Sequence, residues 1–172
     1  MTVRHLLTHT GGLRDYEDFV PDSQATQVLD ADVLARMKSL DATDFPPGSR
    51  FRYSNTGYAM LAMIVEKRSG MRFADFLKSR IFDRVGMPWT LAREDGRAPV
   101  ARRAYGYSRR DGIWARTDQS STSAVLGDGG IYSSVEDLAR WDAALYDDRL
   151  LSDASRRLAF TAWTRTDDVW VD

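Results

Sequence analysis

The feature that most constrains this chain is the segment at residues 46–58, PPGSRFRYSNTGY. Its two prolines and the following glycine predict a tight turn, because proline fixes φ and glycine permits chain reversal. Aromatic residues then alternate with polar ones, which predicts a short extended stretch. Asn55 and Thr56 are favoured helix N-cap residues, and the apolar run after them predicts a helix over residues 57–69 that Gly70 ends. The segment therefore predicts a stiff corner that presents Tyr53 and Asn55 two residues apart, as a preorganised site requires.

The composition limits the classes of function. A chain of 172 residues can bury one core, and we expect a single domain. The net charge of -1 gives no field that would attract nucleic acid or an anionic membrane, so neither partner is expected. No apolar run approaches the roughly 20 residues of a membrane span, and no leader pattern follows Met1, so we expect neither a span nor a signal peptide in this sequence. The absence of cysteine excludes disulfide and thiol chemistry.

Helix signals dominate the rest of the chain. Helices are predicted in five further places: after the cap Thr2, at residues 33–40 with Asp30 or Asp32 as the cap, at residues 73–82, at residues 135–146 with Ser134 or Ser133 as the cap and Leu138, Trp141 and Leu145 inward, and after the cap Ser152. Asp111 and Gly112 predict a hairpin turn. Residues 15–26 and 92–100 read as loops, and no element is predicted for residues 161–172.

Three segments resemble one known superfamily in the same order along the chain. Residues 46–58 resemble the Tyr-x-Asn box of the serine β-lactamases and penicillin-binding proteins, in the class C-like branch that includes D-alanyl-D-alanine carboxypeptidases and esterases. Residues 2–13, TVRHLLTHTGGL, and residues 127–138, GDGGIYSSVEDL, resemble two further segments of that branch. The resemblance implies a β-lactamase/transpeptidase-like α+β fold. Residues 1–172 would form its mostly helical portion, one partial domain that is incomplete at both ends.

The resemblance also implies a site. In the resembled branch a Ser-x-x-Lys helix carries the nucleophile, and one helical turn places the lysine amine beside the serine hydroxyl. Carried over, Tyr53 would exchange protons, and Asn55 would orient the lysine and the substrate amide. No cofactor and no metal are implied. The Ser-x-x-Lys itself does not occur in these 172 residues, because Ala35, Ile64 and Asp75 precede the three lysines at that spacing.

Other arrangements carry less weight. His5 and His9 are four residues apart, as two metal ligands on one helix face would be, but the sequence offers no third ligand. His9-Thr10-Gly11 imitates the superfamily's third box, yet it lies upstream of Tyr-x-Asn and not downstream. A Ser-His-Asp triad through Ser54 stays open but has no supporting pattern. The aromatic residues and arginines near the predicted hairpin are a weak signal for single-stranded nucleic acid at this net charge.

Two hypotheses of function follow. The first is the central part of a class C-like serine hydrolase that cleaves a small amide or ester, such as a β-lactam, a D-alanyl peptide or a simple ester. The second is a non-catalytic, truncated pseudo-enzyme that acts as a binding module. In either case we expect this chain alone to be inactive and to expose apolar surface on helices 57–69 and 135–146, so that it is marginally folded, self-associated or complemented by another chain. Relatives are often exported, but the sequence assigns no compartment.

Overall fold

A computed structural model describes residues 1–96 and 99–164 of the chain. Its helices are α1 (Val3–Leu7), α2 (Asp30–Lys38), α3 (Asn55–Ser69), α4 (Phe73–Leu77), α5 (Asp83–Val85), α6 (Val135–Ala144) and α7 (Asp153–Phe160). Its strands are β1 (Leu91–Ala92), β2 (Tyr107–Arg110), β3 (Ile113–Arg116) and β4 (Ile131–Tyr132). A 3-10 helix spans Tyr16–Phe19, and a π-helical turn, Lys78–Phe82, joins α4 to α5. This mostly helical α+β architecture confirms the predicted fold class.

The start of α3 differs from the predicted cap. The helix begins two residues early, so Asn55 and Thr56 lie in its first turn, and the side chain of the N-cap residue Ser54 makes no capping hydrogen bond. A distant residue supplies the acceptor instead, because Asp15 Oδ2 accepts the Asn55 backbone N–H at 2.7 Å. A carboxylate at this end also complements the positive end of the helix dipole. Gly70, at φ 70°, ends the helix as the sequence predicts.

The predicted cap of α2 is wrong. Leu29 is the N-cap residue, and Asp32 contributes only by accepting the Leu29 backbone N–H at 2.9 Å. Asp30 is the first helical residue, and its carboxylate reaches across the molecule. It accepts the backbone N–H groups of Leu126 and Gly127 at 2.9 and 3.0 Å. A residue with the chemistry of a local cap therefore ties two distant segments together.

The local capping predictions at three other helices are confirmed. The side-chain oxygens of the N-cap residues Thr2, Ser134 and Ser152 accept the backbone N–H groups of His5, Asp137 and Ser155. The hairpin is also confirmed, since β2 and β3 pair in antiparallel fashion around Asp111 and Gly112. Both turn residues have positive φ, 50° and 83°, as a two-residue turn between twisted strands requires.

Two groups of buried side chains form the core. One group joins the 3-10 helix to α2, α3 and the segment before β4: Tyr16, Val33, Ala59 and Val125. The other lies between the α4–α5 segment and α6: Leu77, Phe82, Val85, Met87 and Ala144. The prediction of an exposed loop at residues 15–26 is thus wrong at its centre, where Tyr16 is only 2% exposed.

Close backbone approach connects α3 to the glycine-rich segment before β4. A Cβ atom placed on Gly127 would lie 2.3 Å from the Tyr58 carbonyl oxygen and 2.6 Å from Ala59 Cα. Only glycine permits this contact. The segment then continues into β4, which pairs with β1 so that Leu91 lies opposite Tyr132.

Several apolar side chains on the helices face outward. Leu138 was predicted to point inward but is 54% exposed, and Val135 beside it is 80% exposed. Trp141 and Leu145 are half-buried, so the inward face of α6 is shifted towards its C-terminal half. Within the described residues no helix has the length and apolarity that crossing a bilayer demands. Residues 97–98 of the predicted loop and residues 165–172 of the chain end lie outside the described residues.

Candidate active site

The corner before α3 brings Tyr53 and Asn55 together. The Tyr53 hydroxyl donates to Asn55 Oδ1 at 2.6 Å, a short hydrogen bond between residues two positions apart. The extended backbone at Ser54 places both side chains on the same side of the corner. Tyr53 is 59% exposed, so its hydroxyl is open to a reacting group. The two residues singled out from the sequence therefore form one polar pair at the surface.

Buried hydrogen bonds hold this corner against the segment that precedes the 3-10 helix. Thr56 is fully buried, and its hydroxyl donates to the Arg14 carbonyl while accepting the Tyr16 backbone N–H, both at 2.8 Å. Asp15, between these two residues, accepts the Asn55 backbone N–H. Three consecutive residues are thus bonded to the first turn of α3. Such bonding fixes the position of a site more tightly than loop contacts alone.

The amide of Asn55 is oriented from both ends. Its oxygen accepts from Tyr53, and its Nδ2 lies 3.4 Å from Glu17 Oε2 as a donor. Glu17 is itself held on its other oxygen by the Thr122 hydroxyl at 3.1 Å. The side chain of Asn55 therefore has a defined direction in the absence of any bound molecule.

A buried tyrosine and a half-buried aspartate close the inner side of the site. The Tyr16 hydroxyl donates to Asp128 Oδ2 at 2.7 Å, across 112 positions of sequence. Burial raises the pKa of Asp128 to about 6 against the hydrogen bond from Tyr16, and the negative charges of Asp30 and Glu17 add to the rise. Burial also raises the pKa of Tyr16. Asp128 thus changes its charge just below neutral pH.

The surroundings of Tyr53 keep its phenol protonated. Partial removal from water raises the pKa of Tyr53, and the charges of Asp128, Asp15 and Glu17 raise it further. Because its pKa is raised, the Tyr53 phenol is a weaker proton donor than a free phenol. A cation near the hydroxyl would reverse the effect and allow the phenolate to form. The site as described therefore suits proton exchange with a positively charged partner such as a lysine amine.

His9 contacts the same corner. Its Nδ1 accepts the Ser54 backbone N–H at 3.3 Å, and its ring lies 4.5 Å from that of Tyr53. Ser54 is buried, and its Oγ is directed to the Arg14 carbonyl at 3.4 Å. The open alternative of a Ser-His pair through Ser54 is wrong for this reason: the histidine bonds to the backbone of Ser54 and not to its hydroxyl.

The metal alternative gains no support. Across residues 1–96 and 99–164, no group of three or more histidine, cysteine or acidic side chains is arranged to hold an ion. His5 and His9 both line a small cleft beside α1, together with Gly11 and Arg52. In the part of the chain that the structure describes, no carboxylate completes a group of three ligands with these histidines.

Sequence reasoning missed four residues around this pair: Asp15, Tyr16, Glu17 and Asp128. The first three lie in the segment predicted as an exposed loop, where a single tyrosine among acidic residues was the available signal. Asp128 lies inside GDGG, a segment that was recognised for its glycines alone. Each acts through contacts 38 or more positions away, which no local pattern encodes.

Comparison with known proteins gives consistent relationships. A family model described as Beta-lactamase matches residues 1–172. Penicillin-binding protein 4* of Bacillus subtilis (strain 168) is 37% identical over 94% of this chain. The crystal structure of a penicillin-binding protein from Bacillus halodurans superposes on 96% of the chain with a TM-score of 0.84 and 32% identity. A D-amino acid amidase from Ochrobactrum anthropi SV3, complexed with L-phenylalanine amide, superposes on 91% with a TM-score of 0.73 and 29% identity.

The chain spans only part of each of these proteins. It covers 39% of the Bacillus subtilis protein, 52% of the Bacillus halodurans structure and 46% of the amidase structure. The fold and the residues of the corner are therefore compared with about half of a larger domain.

Proposed function

This chain belongs to the Beta-lactamase family, and from that premise we propose that it contributes Tyr53 and Asn55 to the active site of a serine hydrolase acting through an acyl-enzyme. The observation that carries the proposal is the 2.6 Å hydrogen bond between these two side chains, exposed at the start of α3. Residues 1–172 are then one part of a single catalytic domain. The serine and its lysine belong to the part of the family's domain that this chain does not span.

Tyr53 is the proton-exchanging residue in this proposal. Its hydroxyl lies in a field of carboxylates that raises its pKa. A lysine amine placed against it would offset that field and let the phenol pass a proton between the serine hydroxyl and the leaving group. The order of events is proton removal from the serine, attack on the carbonyl carbon, and proton delivery to the departing amine. Water then loses a proton and attacks the acyl carbon, and the serine oxygen leaves with a proton as the carboxylic acid is released.

Asn55 is the orienting residue. Its oxygen is occupied by Tyr53 and its nitrogen by Glu17, so both ends of the amide have fixed directions before substrate arrives. Preorganised dipoles of this kind cost no reorganisation when charge develops in the transition state. The buried bonds from Thr56 and Asp15 keep the amide in this direction.

We propose a small amide as the substrate. The amidase relative is complexed with an amino acid amide, and the carboxylates of Asp15, Glu17 and Asp128 surround Tyr53 in this chain. A negatively charged rim favours an aminoacyl amide, which carries an ammonium group, over a penicillin, which carries a carboxylate. A β-lactam and a simple ester are the alternatives that the assay must compare.

A second candidate function is a non-catalytic binding module. The sequence observation behind it is that no Ser-x-x-Lys occurs within these 172 residues. In such a protein the Tyr53–Asn55 pair would persist as a hydrogen-bonding surface without a nucleophile. The two candidates differ in one measurable property, which is the formation of a covalent adduct.

Covalent labelling tests the proposal. The full-length protein and the 172-residue chain are each incubated with a fluorophosphonate and with a penicillin, and adducts are read by intact mass and peptide mapping. We expect one adduct on the full-length protein, on a serine outside residues 1–172, and none on the shorter chain. An unlabelled full-length protein would favour the binding module. A stoichiometric adduct on a serine of this chain would show that the roles are assigned wrongly.

A further inference from the structure

His9 is enclosed by the aromatic rings of the corner. Its imidazole lies 4.5 Å from the ring of Tyr53, tilted by 33°, and 5.2 Å from the ring of Tyr58, stacked at 29°. Phe51 meets it edge-on at 5.9 Å. Tyr58 is in turn fixed by its hydroxyl, which donates to the Leu7 carbonyl at 3.1 Å. The exposed phenol of Tyr53 thus packs with one face against the imidazole of His9, and Tyr58 holds the other face of that imidazole.

The backbone around His9 is bonded along the extended segment that carries Tyr53. The His9 carbonyl accepts the Arg52 N–H at 3.0 Å, and the Thr10 carbonyl accepts the Gly48 N–H at 2.8 Å. The imidazole Nδ1 adds a third bond, from the Ser54 N–H. The hydrogen bonds from the backbone N–H groups of residues 48, 52 and 54 hold the extended segment in place on both sides of Tyr53.

His9 adopts a costly backbone conformation to make these bonds. Its φ is +54°, in the left-handed region that residues other than glycine enter uncommonly, histidine somewhat more often than most. Such a conformation persists only where surrounding contacts determine it. Here the ring contacts and these three hydrogen bonds hold His9 in that conformation.

We propose that His9 is a positioning residue that holds Tyr53 in its productive direction, and that it does so only while its imidazole is neutral. The inference rests on the proposed function, because the direction matters through the proton that Tyr53 exchanges. A neutral ring can accept the Ser54 N–H at Nδ1, whereas a protonated ring carries a hydrogen there and repels the donor. Protonation would therefore release the backbone between Tyr53 and Asn55.

The groups around His9 agree with a neutral ring at physiological pH. Burial lowers the pKa of His9, and the contact with the Ser54 backbone and the negative charge of Asp15 offset this lowering only in part. The rings of Tyr53 and Tyr58 face the imidazole, while His5 and Arg52 line the same small cleft, where Arg52 is paired with Asp44.

Three variants of the full-length protein test the inference. His9→Asn keeps an acceptor oxygen near the position of Nδ1 and tolerates the left-handed backbone, but it cannot be protonated. His9→Ala removes acceptor and ring. His5→Asn is the matched control, because His5 lines the same cleft without contacting Tyr53. The rate at which a fluorophosphonate phosphonylates the serine, with loss of fluoride, is measured from pH 5 to pH 9 for each.

We expect the wild-type rate to fall on the acid side with a midpoint below the ordinary histidine pKa. His9→Asn should lose that acid limb and keep the rate at pH 8 within about threefold. His9→Ala should lower the rate about 10- to 100-fold with little change in the concentration dependence, as small misplacements of a reacting group do. His5→Asn should match the wild type. An acid limb retained in His9→Asn, or a wild-type rate in His9→Ala, would overturn the inference.

A second measurement separates this inference from the proposed function. The protein is labelled with 3-fluorotyrosine, and the Tyr53 ¹⁹F resonance is assigned with Tyr53→Phe. In the wild type that resonance should shift with the titration of His9, and in His9→Asn the shift should be absent. If the fluorophosphonate does not label the wild type at all, the proposed function fails, and this resonance alone decides the inference. A resonance that does not respond to His9 overturns it.

Discussion

The carboxylate of Asp15 caps a helix that begins 40 residues later, by accepting the backbone N–H of Asn55 at 2.7 Å. The same carboxylate accepts the Glu17 N–H at 3.0 Å with its other oxygen. One side chain thus fixes both the first turn of α3 and the residue that orients the Asn55 amide.

Asp15→Ala is therefore expected to weaken the start of α3. Removing a capping acceptor costs about 1 kcal/mol of the free energy of unfolding, and the Asn55 amide should lose its fixed direction. Asp15→Asn, which keeps one acceptor oxygen, is the control and should lose less. Chemical denaturation measures both variants, and equal losses would contradict the capping role.

Gly127→Ala should destabilise the fold strongly. The added methyl group would lie 2.3 Å from the Tyr58 carbonyl, so α3 and the segment before β4 must separate. Overpacking of this kind costs about 3 kcal/mol. Gly129→Ala is the matched control two residues away, since nothing lies within 4 Å of a Cβ there and its φ is not positive. We expect the free energy of unfolding of this control to change by about 0.5 kcal/mol. Similar melting temperatures for the two variants would show that the backbone contact is not tight in solution.

Asp128 should make stability depend on pH. Its pKa is raised from 3.8 to about 6 on folding, so the folded state binds more protons than the unfolded state between these values. The stabilisation is complete below pH 3.8 and is lost as the pH rises through 6. For a partly exposed carboxylate we expect a loss of about 1 kcal/mol.

Asp128→Asn removes this titration while keeping an acceptor for the Tyr16 hydroxyl. The difference in free energy of unfolding between the variant and the wild type should therefore shift in favour of the variant as the pH rises from 4 to 7. Parallel stability curves over that range would contradict the shifted pKa of Asp128.

Tyr53→Phe should abolish most of the activity of the full-length protein with little loss of stability. Loss of a proton-exchanging group lowers kcat/KM about 10²- to 10⁴-fold, while the exposed hydroxyl contributes little to folding. Tyr107→Phe is the control, because Tyr107 lies in β2 and is 56% exposed, close to the 59% of Tyr53. It should keep kcat/KM within about threefold and change stability by no more than about 0.5 kcal/mol. If the control variant lost kcat/KM and Tyr53→Phe kept it, Tyr53 would not be the proton-exchanging residue.

Local signals were sufficient to predict much of the fold. Thr2, Ser134 and Ser152 cap their helices through bonds to residues three positions on, and Gly70 ends α3, because each motif is complete within one turn. The hairpin at Asp111 is equally local. These elements need no tertiary contact to specify them.

The misplaced predictions share a long-range cause. Asp30 has the chemistry of a cap but bonds to segments 96 and 97 positions away. Leu138 has helical spacing for burial, yet no described element covers it. Tyr53 and Asn55 could be singled out because their positions lie in one recognisable segment. The residues that orient them could not, because their partners come together only in the folded chain.

The bond between Tyr16 and Asp128 has a consequence for the order of synthesis. The two residues are 112 positions apart, so a chain emerging from the ribosome exposes the corner at Tyr53 long before Asp128 is made. Local hairpins and helices form early, whereas contacts of this separation form late. The inner side of the site therefore closes only after the glycine-rich segment has been translated, and a ribosome that stalls before it leaves Tyr16 without its partner.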